Sequence, residues 1–85
     1  MSEPGYHLTP ITKGELGEIS KIEEELSELR DAVQQGVRIM ELVELSDLLG
    51  AIEAYMDRHH VGFHLADLVA MKNVTKRAFE NGHRS

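Results

Sequence analysis

Apolar residues recur at spacings of three and four through most of this chain, the signature of amphipathic helices, and do not alternate as in a half-buried strand. Ile19, Ile22, Leu26, Leu29 and Val33 make one stripe and Gly36 supplies a stop. The pattern predicts a first helix that begins near Thr12 or Gly17 and ends at Gln35. From Arg38 to Arg58 the chain is apolar round most of its circumference, with Leu42, Leu45, Leu49, Ile52 and Met56 as the stripe and Leu48 and Tyr55 widening it. A second helix over about Val37 to His59, largely buried, is expected. His60-Val-Gly-Phe-His64 reads as a turn. Leu65, Leu68, Met71, Thr75 and Phe79 predict a third helix from Leu65 to Glu80, stopped by Asn81-Gly82. Pro4, Gly5 and Pro10 make residues 1–12 an irregular arm and leave 13–85 as one helical domain. The expected fold class is all-α, a small bundle of about three helices.

Eighty-five residues, 41% apolar and 28% charged, make one small domain of ordinary globular composition. So short a chain buries little surface alone, and a homodimer or homotetramer that completes the core is the expectation. With no cysteine, disulfides and thiolate metal sites are excluded. No window approaches the ~20 apolar residues of a membrane span, and the N-terminus carries no apolar run behind basic residues, so a cytoplasmic protein is expected. The net charge of −6 is unevenly spread: residues 15–57 hold twelve acids and three bases, residues 58–85 two acids, five bases and four histidines. That is not a nucleic-acid footprint, which needs a dominant basic stripe.

Within the acidic half, two pairs carry the chemistry: Glu25-x-x-Glu28 and Glu44-x-x-Asp47, each followed one turn on by an alanine, Ala32 and Ala51. Residues three apart share a helix face, so each pair points two carboxylates one way. Fifteen residues with Gly36 among them separate the pairs, which suits two antiparallel helices facing each other. Glu44 and Asp47 fall at the far edge of an apolar helix, off any solvated face, and need a cationic partner or a metal. Their structural alternative is a salt bridge to Lys21 or Arg38; that of Glu25 and Glu28 is a solvated acidic face. Glu24 points away, roughly opposite the first stripe. All-oxygen ligands select magnesium, or manganese, and magnesium typically bridges to phosphates, so a nucleotide polyphosphate is the natural partner. Lys72, Asn73, Lys76 and Arg77 cluster on the third helix, either as a solvated basic face or as phosphate or base contacts. His59, His60 and His64 make a poor zinc set, since Gly62 interrupts them and no cysteine joins them.

Glu24-Glu25-Leu-Ser-Glu28, the spacer, and Glu44-Leu-Ser-Asp47 together resemble the E-E-x-x-E, spacer, E-x-x-D signature of MazG-type pyrophosphohydrolases, in the all-α nucleoside triphosphate pyrophosphatase superfamily. The likeness spans about residues 18 to 56, and the stretch from Asp67 to Arg84 is similar to the tail of small members. The resemblance implies magnesium-dependent hydrolysis of a nucleoside triphosphate between the α and β phosphates. It implies that Glu25, Glu28, Glu44 and Asp47 hold the metal and form the catalytic set, and that the protein forms dimers or tetramers with sites near subunit interfaces. Lys72, Asn73 and Arg77 are candidate substrate contacts. Alternatives are a non-catalytic helical adaptor, a phosphoribosyl-ATP pyrophosphohydrolase with the same metal logic, and a regulator that binds nucleotide without cleaving it.

Overall fold

The computed structural model describes residues 8–80, and side chains as far as Lys76. Among the described residues it is all-helical, with α1 over Ile19–Gln35, α2 over Arg38–His59 and α3 over Leu65–Glu80. The bounds agree with the periodicity except at the first start. Residues 12–17, which the pattern left open, are not helical: Glu18 takes the N-cap position in an extended conformation and Ile19 opens the helix. At the other end Gly36 turns into the left-handed region, φ 72°, and its N–H returns to the carbonyls of Ala32 and Val33. The chain can then fold straight back into α2. His64 caps α3, its backbone N–H donating to the Asp67 carboxylate at 2.7 Å while the Asp67 N–H donates to the His64 carbonyl. The expected stop at Asn81-Gly82, and most of the expected N-terminal arm, lie outside the described residues.

α1 and α2 pack as an antiparallel pair, but not through their leucine stripes. The buried members of α2 are Glu44, Ala51 and Met56, and those of α1 are Glu24, Glu25, Asp31 and Ala32. At about 100° per residue, Glu44 and Ala51 sit roughly opposite Leu42, Leu45 and Leu49, and these leucines are 56%, 48% and 49% exposed. Close approach at two alanines, 0% and 2% exposed, brings the backbones together and draws the acids beside them into the interface. The stripe of α2 was expected to face the core of the chain. It faces outward, except at Met56, which lines a groove with Phe63, Leu68 and Met71 of the turn and α3. The stripe of α1 is likewise half open, with Ile19 50% and Val33 54% exposed.

The third side of α1 is covered by residues 8–18. Asp31 accepts the backbone N–H of Leu8 at 2.7 Å and of Thr9 at 3.3 Å, and Glu24 accepts that of Gly14 at 2.8 Å. Gly14 lies so close to the first turn of α1 that a Cβ there would run into the Ser20 carbonyl. Among the described residues α3 meets α2 near the joining turn and does not reach α1. The radius of gyration is 15.2 Å, against about 12 Å for a compact chain of this length. No described helix is long and apolar enough to cross a membrane.

Candidate functional site

Two helices supply the acids. Glu25, two turns before Ala32 on α1, and Glu44, two turns before Ala51 on α2, lie on the mutually facing sides of the pair and are 5% and 1% exposed. Asp47, one turn along from Glu44, completes a group in which one carboxylate oxygen each from Glu25, Glu44 and Asp47 lies within 4.8 Å of the others. Glu28, half-buried, joins through Glu25, with which it shares a hydrogen bond, and belongs to a second such group with Glu24 and Glu25. Three of the four expected acids, Glu25, Glu44 and Asp47, are thus brought together, and Glu28 adjoins them through Glu25. Asp47 departs from expectation in its surroundings: it is exposed, because nothing in the described chain covers that edge of α2. The cluster opens into a cleft of about 430 Å³ lined by Leu16, Lys21, Glu25, Ser46, Asp47 and Gly50, with Ala51 at its floor. On its other side Glu44 borders an apolar groove formed by Ile39, Met40 and Val43.

The neighbours Glu24 and Glu25 show what environment does to one carboxylate chemistry. Glu25 is pushed up to about 8: burial strips it of water, and Glu28, through a shared hydrogen bond and like charge, opposes its ionisation. Its Oε2 is buried and accepts no hydrogen bond. Glu24 is as deeply buried, but there the Gly14 N–H and the Lys21 ammonium outweigh desolvation and hold its carboxyl below the ordinary range. Lys21 Nζ lies 3.0 Å from Glu24 Oε1, with Lys13 at 3.9 Å from Oε2.

Glu24 was expected to point away from the structure; it is 4% exposed and ties residues 13–14 to α1. Sequence reasoning also passed over Asp31, the second anchor of that segment. A signal was present: Glu24 and Asp31 are seven apart, on one side of the helix, and that side carries no apolar stripe. Lys21 was considered as a partner of Glu44 or Asp47, and the ion pair it makes is with Glu24. Lys72 and Asn73 are exposed on α3, where Lys72 donates to the Asn73 side chain at 2.9 Å, and among the described residues none of α3 lines the cleft. The Arg77 side chain lies outside the described residues. No histidine joins a metal-capable group among the described residues: His59 Nε2 lies 3.0 Å from Glu18 Oε2, the His59 and His60 rings lie tilted at 4.6 and 6.0 Å from that of Tyr55, and His64 is exposed.

Above the cleft, residues 15–18 are held by charge. Arg58, near the end of α2, lies 2.9 Å from Glu15 and 2.7 Å from Glu18, an arrangement that draws Glu18 below its ordinary range. Gly17 turns beneath the guanidinium with φ 94°, and Leu16 hangs into the cleft.

Comparison with protein-family models, curated proteins and solved structures returns no match.

Proposed function

We propose that this chain is a magnesium-dependent pyrophosphohydrolase that adds water across the α–β phosphoanhydride of nucleoside triphosphates, releasing the monophosphate and pyrophosphate. The observation that carries this reading is the convergence of Glu25, Glu44 and Asp47 from two helices, with Glu25 and Asp47 lining one cleft and a buried Glu25 oxygen that accepts no hydrogen bond. Clustering these acids works against stability, because like charges gathered out of water oppose one another's ionisation, and the raised Glu25 carboxyl records that opposition. The donor set fits the ion in kind: magnesium takes oxygen ligands, and one carboxylate oxygen each of Glu25, Glu44 and Asp47 lies within 4.8 Å of the others. Manganese, with the same taste for oxygen, is the natural substitute.

Glu25, Glu28, Glu44 and Asp47 would hold the metal. When bound, it lowers the pKa of water and neutralises phosphate charge. The chain's own contribution is placement. Glu25 and Glu44, buried between α1 and α2, would supply the inner ligands, and the exposed Asp47 would meet the ion from the open edge. A carboxylate of the cluster would orient the attacking water or accept its proton. The four-acid signature and its resemblance to MazG-type enzymes support the reading, and so does the all-helical pair that presents it.

The outward leucine stripes support the further proposal that a second copy of the chain completes the bundle. Three apolar residues are buried among those described, too few for an independent core of this size. A heterologous helix on the same stripe is the adaptor alternative. Pyrophosphate release from a panel of ribo- and deoxynucleoside triphosphates, with magnesium and then manganese, tests the enzyme. Metal-dependent release that disappears in Glu44→Gln is the expected result. A folded wild-type protein that binds no Mn²⁺ and cleaves nothing in the panel would sink the reading.

A further inference from the structure

Of the residues that line the cleft, Lys21 alone among those described is basic. It stands one turn before Glu25 on α1, its side chain 26% exposed, and Glu24 pins its ammonium at 3.0 Å. Glu24 is in turn fixed by the Gly14 N–H at 2.8 Å and shut away from solvent. One of the three ammonium N–H donors is used in that bond, which leaves others for a ligand in the cleft. A nucleoside triphosphate is strongly anionic, and the cleft also carries Glu25, one turn along α1 from Lys21, and Asp47 of α2. Charge on the ion cancels the carboxylates it touches, but phosphate oxygens turned away from the ion need a separate donor. From this geometry we infer that Lys21 is a phosphate-positioning residue of the cleft, with Glu24 as the group that aims it. The inference rests on the proposed function and gives Glu24 a role distinct from the metal ligands beside it.

The bland account of Lys21 is that it offsets the acidic cluster, and the two accounts separate in what a substitution does. If Lys21 merely balanced charge, Lys21→Met would alter metal binding and leave phosphate recognition alone. Removal of a nearby positive charge tightens Mn²⁺ binding to the nucleotide-free protein on either account; if Lys21 positions phosphate, Lys21→Met also weakens phosphate recognition. The KM for the best triphosphate and the Kd for inorganic pyrophosphate in excess magnesium then rise about tenfold, the scale of one charge-assisted hydrogen bond, and Lys21→Arg recovers part of the loss. Glu24→Gln keeps an acceptor for Gly14 but loses the ion pair, and is expected to raise KM in the same direction by a smaller factor at unchanged Mn²⁺ affinity. The measurements are calorimetric titrations with Mn²⁺ alone and with pyrophosphate, beside steady-state kinetics, on proteins matched by circular dichroism. Wild type that turns over while Lys21→Met shows KM and pyrophosphate Kd within twofold of it overturns this inference and leaves the enzyme standing. Wild type that neither binds Mn²⁺ nor turns over overturns both. Should Lys21→Met misfold, Lys21→Gln serves in its place.

Discussion

At the scale of single residues, the contrast between Glu24 and Glu25 governs behaviour towards pH and metal. Glu25 has a carboxyl pushed up to about 8 in the folded chain against 4.5 as the ordinary value. Between those values folding takes up a proton, so the unfolded state binds fewer, and stability of the metal-free protein falls as pH rises from about 4.5 to about 8 and levels off beyond. Thermal unfolding in a chelating buffer across that range checks the slope, and a rising Tm would contradict it. Metal ligation must displace the same proton, so the increase in Tm produced by magnesium is expected to be larger at about pH 8.5 than at about pH 6.5. Glu44→Gln removes one charge from the buried cluster without changing its shape. It is expected to abolish turnover while raising the metal-free Tm by about 4 °C or more, the shift that about 1 kcal/mol produces in a domain of this size.

Elements are joined here by polar fasteners rather than by apolar area. Asp31 holds Leu8 and Thr9 against the middle of α1, Glu24 holds Gly14 against its start, and Arg58 clasps Glu15 and Glu18 across from α2. Asp31→Ala strands two backbone donors, and hydrogen exchange is expected to accelerate at the Leu8 and Thr9 amides while the middle of α2 keeps its protection. The cost should be about 1–3 kcal/mol, the penalty of an unmet partly buried donor. At Gly17 a side chain meets two obstacles: the positive φ, and an Arg58 Nε that would lie 2.8 Å from the new Cβ. Gly17→Ala is therefore expected to lose about 1–3 kcal/mol in a denaturant titration. The Glu15–Glu18 loop is expected to shift in this variant, and Leu16, which lines the cleft, to shift with it.

For the whole molecule, the extended form of the single chain and the exposure of Leu42, Leu45 and Leu49 belong together. A monomer that leaves its longest apolar stripe in water has its largest reserve of burial still to use, at about 25 cal/mol per Å². Sedimentation velocity is expected to show a dimer or larger assembly at micromolar concentration. Leu45→Glu with Leu49→Glu, two charges on adjacent turns of the stripe, is expected to yield monomers with reduced helicity. A monomeric wild type with full helicity would show instead that the three helices suffice alone.

The helices themselves, the turn at Gly36 and the pairing of the acids were legible along the chain, because each rests on local rules: spacing of apolar positions, a glycine stop, and side chains three apart sharing a face. Which face of each helix turns inward was not. Periodicity marks the leucines as the side that avoids water, and it does not say whose surface they meet. Only the tertiary structure decided that α1 and α2 approach through Ala32 and Ala51, because close packing of two helices rewards small residues wherever they fall. That choice carried Glu25 and Glu44 into the interface, left Asp47 at the open rim, and turned the leucines outward. It likewise decided the fate of Glu24, whose neighbour in the chain is a candidate metal ligand. Long-range hydrogen bonding to Gly14, invisible to any count along the helix, made it a buried anchor.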